Sequence, residues 1–205
     1  MIVYVESNFV LEIALLQEQH SACEALLELC AKGQIQILLP TFAMIEPFGA
    51  LFRRRAERNR VKSRLDNVLR ELGRTAPLSE PVREARVRMK DLLGSSSDNE
   101  LERWKAARAR IASVAELIPF EERVLQVAAT SEVRLNLAPP DAVIYASVQS
   151  HLNQTRPALS CFLNRNSMDF QNPALVTELN SLGCKVLPAF DQGLSYVRGM
   201  LARGG

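Results

Sequence analysis

Histidine is nearly absent from the chain. His20 and His151 are the only two; they share no motif, and neither has an acidic partner at a telling spacing, which argues against a zinc site or a histidine-based nucleophile. Any catalysis must then use carboxylates. Cysteine is also sparse: Cys23 and Cys30 fall on an apparent helix, Cys161 and Cys184 fall in short apolar runs, and none forms a close CxxC pair. The four read as buried, reduced thiols. No apolar run is long enough to cross a bilayer, and the start MIVYVESNFVLEIALLQEQH lacks the basic region and cleavage site of a signal peptide, so the expected address is the cytoplasm. Aromatic residues make up 6% and are little interleaved with basic ones, which disfavours base stacking as a mode of nucleic-acid binding.

What is present is ordinary for a soluble domain: 205 residues, 47% hydrophobic and 23% charged, enough for one sizeable core. The net charge of +2 is unevenly spread. Between Arg53 and Arg110 there are 17 basic residues against 9 acidic ones, a local balance of +8, and the remainder carries −6. An acidic body with a basic arm suits a metal-binding centre that works on a polyanion.

Ile2 to Val5 is short, β-branched and aromatic, and it ends at Glu6-Ser7-Asn8, residues that favour turns and helix caps. Ser21 with Glu24 has the form of a capping box, and Gly33 can close the helix that follows. Ile35 to Leu39 reads as a second strand. After Pro40 the chain reads as helix up to Gly73. A further helix is expected from Ser79, a polar loop at GSSSDN (94 to 99), and a third helix from Glu100 to Leu117. Helices near Pro119 and from Asp141, strands at Leu159 to Leu163 and Lys185 to Leu187, and helices after Pro173 and Asp191 complete the pattern. Strands separated by helices predict a three-layer α/β/α fold with a central, mainly parallel sheet of four or five strands. The chain reads as a single domain, 1 to 205, with a basic helical insertion at about 53 to 115.

Ligands of open parallel sheets bind at the carboxyl ends of the strands. Four acids from distant parts of the sequence are predicted there: Glu6 after the first strand, Glu46 in the first turns after the second, Asp141 at a helix start, and Asp169 shortly after the strand ending at Leu163. Clustered carboxylates raise one another's pKa unless a cation compensates them. Mg²⁺ or Mn²⁺ fits, because both take oxygen ligands and are commonly held by a few carboxylates together with substrate phosphates. Each acid also has a structural explanation. Asp141 after two prolines is placed to cap a helix, and Asp169 is placed to serve a loop.

These segments resemble the PIN-domain ribonucleases over nearly the whole chain outside the insertion. VYVESNFVLEIAL is similar to the family's first strand and acid turn, with Glu6 where Asp is usual. TFAMIEPFGAL resembles the segment with the second acid, PPDAVIYASV the helix start with the third, and SCFLNRNSMDF the strand and loop ending in Asp-Phe. The resemblance implies that Glu6, Glu46 and Asp141 are the core metal ligands and catalytic acids, and that Asp169 or the neighbouring Asn166 completes the site. Ser7, Asn8 and Asn164 would orient ligands or water. It further implies Mg²⁺- or Mn²⁺-dependent cleavage of single-stranded or structured RNA. A toxin role with a partner antitoxin protein, and a homodimer, are further family expectations. Asn166 stands where a charged carboxylate is frequent and offers only a neutral oxygen, so a catalytically weakened RNA-binding protein is the alternative. A metal-dependent phosphohydrolase of small molecules is a third reading.

The basic run Arg53, Arg54, Arg55, Arg58, Arg60, Lys62 and Arg64 follows Glu46 closely. It is expected to carry a phosphate backbone, with a solvated helix face as the plainer explanation.

Overall fold

The computed structural model describes the backbone of residues 1–165, 170 and 172–204, and the side chains of all of these except 94–98 and 204. Asn166 and Asp169, two of the expected site residues, lie outside the described residues. The chain divides into two compact units, Met1–Pro47 together with Trp104–Gly205, and Phe48–Arg103.

The first unit is built on five parallel strands, β1 Ile2–Val5, β2 Gln36–Pro40, β3 Glu116–Ile118, β4 Ser160–Leu163 and β5 Cys184–Leu187, in the order β3-β2-β1-β4-β5. In the central strands Val3, Tyr4, Val5, Cys161, Phe162 and Leu163 are all 0% exposed. That is why they read as unbroken apolar runs: a parallel strand covered on both faces has no polar side to alternate with.

On one face α1 Ser7–Leu15, α2 His20–Ala31 and α8 Phe190–Gly204 pack together, with Phe9 edge-on to Phe190 at 5.5 Å. On the other lie α5 Glu122–Leu135, α6 Pro139–Thr155 and α7 Pro173–Ser181. Glu178 joins these three by accepting from the Tyr145 hydroxyl and from Arg134. His151 of α6 meets the Tyr4 hydroxyl at 2.8 Å, a packing role for one of the two histidines. β1 connects to β2 on one side, whereas β4, reached from β3, lies on the other and continues outward to β5, so the strand order reverses between β1 and β4 and a crevice is expected between their carboxyl ends.

Three local expectations change. The Ser21 and Glu24 box does not form: α2 starts two residues earlier than the box requires, Gln19 caps it with no side-chain bond, and Glu24 pairs with Arg110 instead. Gly33, at φ 69°, does end α2, and its N–H reaches Cys30 O at 2.8 Å. The expected loop at 94 to 99 is helical backbone within α4, Ser79–Val114. One Gly and a few Ser in a helix cost on the order of 1 kcal/mol each or less, which the flanking turns outweigh. The segment expected to end that helix at Leu117 instead holds β3, whose three residues are too few to show a strand period.

The second unit is a helical hairpin, made of most of α3 (Glu46–Leu72) and the first part of α4, joined through a 3-10 turn at Ala76–Leu78. Asp66 of α3 ties the two helices by accepting from Arg86 of α4 at 2.8 Å, and also accepts from Arg70 of its own helix at 2.7 Å. The unit spans 48 to 103, because Trp104, Ala107 and Ile111 at the end of α4 are buried and belong to the first unit.

Two glycines of α8 test the packing under the site. A Cβ on Gly193 would stand 2.5 Å from Leu163 Cδ1, at the end of β4, whereas one on Gly199 meets nothing within 4 Å. Gly199→Ala is expected to stabilise by about 0.5 to 1 kcal/mol through helix propensity. Gly193→Ala has the same gain offset by overpacking of about 1 to 3 kcal/mol, so its melting temperature should fall below that of Gly199→Ala in thermal unfolding. Equal gains would show that Leu163 repacks freely.

Candidate active site

Glu6 directly follows β1 and caps α1, with Oε2 accepting from Asn8 N–H at 2.7 Å. Its other oxygen, Oε1, accepts from the backbone N–H of Arg165 at 3.0 Å. The cap explains the local fold, since a side-chain oxygen at this position satisfies a donor that the helix cannot. It does not explain the choice of a carboxylate, because Glu6 is only 2% exposed. Burial pushes its pKa up to about 7, the hydrogen bonds from Asn8 and Arg165 pull it partly back, and the charge of Asp141 raises it further.

Asp141 lies in the first turn of α6, half-buried. Pro139 and Pro140 occupy the helix start, where their missing N–H groups cost nothing. The charge of Asp141, from far along the chain, adds to the upward push on Glu6, less strongly than burial does. Asn164, 0% exposed, stands just past β4, and its backbone N–H bonds Leu187 O at 3.1 Å. Its Oδ1 and the Oγ of Ser7 are buried, and among the described residues neither has a hydrogen-bond partner. Each belongs to a residue next in chain to one that carries or bonds the Glu6 carboxylate, Glu6 itself and Arg165, and both are hard-oxygen donors, the type a divalent cation takes.

Glu46 is the first residue of α3, half-buried, and is not among the charges that move Glu6. Among the described residues no group of three His, Cys, Asp or Glu side chains is placed to hold a metal ion. The structure ties Glu6 by hydrogen bonds to Asn8 and to Arg165, the residue after Asn164, and the charge of Asp141 acts on it; Ser7 is its neighbour in the chain, and Glu46 stands at the start of α3.

Two functional neighbours escape a reading of the sequence alone. Glu12 is 0% exposed on α1, accepts from Gln19 N–H at 2.7 Å and pairs with the Arg165 guanidinium, which also reaches Glu18. Arg165, two residues past β4, is thereby tied to α1 while its own N–H holds Glu6. The available signal was Glu12 itself, an acid inside the apolar run FVLEIAL, where it requires a buried partner.

Of the basic run, Arg53, Arg54, Arg55, Arg60 and Arg64 are exposed. Arg58 is engaged by Glu100, and Arg60 has Glu57 at 3.5 Å. Lys62 lines a cavity within the hairpin together with Asp66, Arg83, Arg86 and Lys90. In the first unit, Lys105 and Arg108 line a separate cleft with Thr41, Met44 and Ile45, immediately before Glu46 in the chain. Among the described residues no helix is long and apolar enough to cross a membrane. Comparison with protein-family models, curated proteins and solved structures finds no match to the chain.

The raised pKa of Glu6 has a consequence for stability. Between the ordinary value of 4.5 and about 7, the native state holds a proton that the unfolded chain has released, so stability falls as pH rises through this window. The cost is absent below it and complete above it, on the order of 3 kcal/mol. Glu6→Gln should flatten this slope in urea unfolding between pH 5 and 8. An unchanged slope would assign it to another group.

Proposed function

We propose that the chain is a PIN-like, divalent-metal-dependent ribonuclease. The observation supporting this most directly is the carboxylate of Glu6, buried at the end of β1 and held through both oxygens by the N–H groups of Asn8 and Arg165, with the charge of Asp141 acting on it and the unpartnered oxygens of Ser7 and Asn164 on residues next in the chain. A serine or asparagine would cap α1 equally well without a buried charge. The retained carboxylate has a function if its charge is needed for chemistry.

In this reading Glu6 and Asp141 hold Mg²⁺ or Mn²⁺, Asn164 and Ser7 supply neutral oxygens, and Glu46 and Asp169 are the further acids assigned by the sequence pattern. The bound cation would neutralise the acids, polarise a phosphoryl oxygen and promote attack by hydroxide. The chain's own contribution is orientation: the N–H groups of Asn8 and Arg165 fix both oxygens of Glu6, and Arg165 is fixed in turn by Glu12 and Glu18. In the hairpin the exposed Arg53, Arg54, Arg55 and Arg64 supply attraction for a phosphate backbone, and in the first unit Lys105 and Arg108 separately do so.

A second reading, an RNA-binding protein with a weakened site, is favoured by one observation. Both Glu6 oxygens already accept N–H bonds, and no third acid joins the pair among the described residues.

RNA cleavage with Mg²⁺ or Mn²⁺ separates the two. Asp141→Asn and Glu6→Gln are expected to lose about 100-fold or more in rate, and Mn²⁺ should raise the melting temperature of the parent at pH 8 but not that of Asp141→Asn. Equal cleavage by all three proteins would rule out the carboxylate mechanism. Retained RNA binding without cleavage in the parent would establish the second reading. Charge reversal at Arg53 and Arg54 should weaken RNA binding and lower its salt slope by about one for each phosphate no longer neutralised.

A further inference from the structure

The helical hairpin carries an apolar stripe that stands in water. Along α3, Val61, Leu65, Val68 and Leu72 follow the alternating four-three-four spacing of a coiled-coil seam, and they are 40%, 41%, 52% and 43% exposed. Four consecutive seam positions left in water are a poor outcome for a helix whose apolar stripe normally faces a core. The side of α3 turned to α4 is a different one: Arg58, Lys62, Asp66 and Leu69 are its half-buried positions, and Asp66 holds Arg86 across the pair. The stripe is displaced from that side by about 100°, the turn of one helical residue.

We propose that this face seats the same face of a second copy of the chain, with the two α3 helices antiparallel about a two-fold axis. The stripe is self-complementary in that arrangement. Val61 meets Leu72 of the second copy and Leu65 meets Val68, so each contact pairs a β-branched side chain with a longer one, and the axis repeats it. Charge agrees with the same register. Arg64 and Glu71 flank the seam on its outer side, both exposed, and neither holds a side-chain ion pair among the described residues. Antiparallel pairing brings Arg64 of each copy to Glu71 of the other, twice. A parallel pairing would set Arg64 against Leu69 instead, so the charges select the antiparallel form. The seam is about 16 Å long, from 1.5 Å per residue, which suits association in the micromolar range rather than an obligate dimer. This inference is independent of the carboxylate site.

Sedimentation of the full chain tests it. A dimer is expected at about 100 µM, dissociating on dilution toward about 1 µM. Leu65→Asp should abolish it while far-UV circular dichroism remains that of the parent. Arg64→Glu alone and Glu71→Arg alone each create two like-charge contacts and should weaken the dimer about tenfold. Mixing these two variants in equal amounts restores both opposite-charge pairs in the heterodimer, and association should return to the parent level. A monomer at the highest concentration, a dimer that survives Leu65→Asp, or a mixture no tighter than its components would each overturn the proposal.

Discussion

The parallel direction of all five strands is the constraint from which the site follows. A parallel sheet needs a crossover after each strand, and the crossover helices start where the strands end, so their N-termini gather at one edge. Glu6 caps α1, and Glu46 and Asp141 lie in the first turns of α3 and α6. Each therefore stands in the positive end of a helix dipole, which offsets part of the cost of placing carboxylates together. The order β3-β2-β1-β4-β5 then decides which of them meet. The crevice opens beside β1, and Glu6 is the first residue after it.

Glu6 shows how closely structural and chemical roles overlap at such an edge. Its oxygens satisfy a helix donor and the N–H of Arg165, contacts that a neutral acceptor could supply in part. Its burial and the nearby charge of Asp141 hold it at about 7, where the acid is half-protonated near neutrality. A group in that state is poorly suited to stability alone and well suited to a site in which a cation restores the charged form. Arg165 makes the arrangement rigid. Without the buried Glu12, its guanidinium would keep only the exposed Glu18 as a partner, and the N–H that holds Glu6 would be less firmly placed.

Much of this could be read from the sequence, for identifiable reasons. Buried strands such as Val3–Val5 and Phe162–Leu163 are unbroken apolar runs between turn residues, so their position, and with it that of Glu6 directly after β1, was recoverable. The helix starting at Pro139 was signalled by the two prolines. What failed was short or long-range. β3 has three residues and no period, and the Ser21 box lost to a pairing of Glu24 with Arg110, which no local pattern announces. The tie from Arg165 to Glu12 spans most of the chain. The charge that Asp141 exerts on Glu6 crosses most of the chain, and only strand-end geometry pointed to it.

The hairpin raises a different physical question, because two helices alone cannot enclose a core. Each has one side turned to the other and the rest in water, so every apolar residue beyond the shared stripe is a net cost unless something covers it. Here the shared stripe is largely polar: Asp66 with Arg86 and Arg58 with Glu100 occupy places that apolar residues would fill in a stable pair. Such pairs contribute little to stability in water, while Val61, Leu65, Val68 and Leu72 lie outside the pairing altogether. A hairpin arranged in this way is not optimised to stand alone. Its polar seam fixes the register of the two helices, and its apolar side is the part left to gain from association.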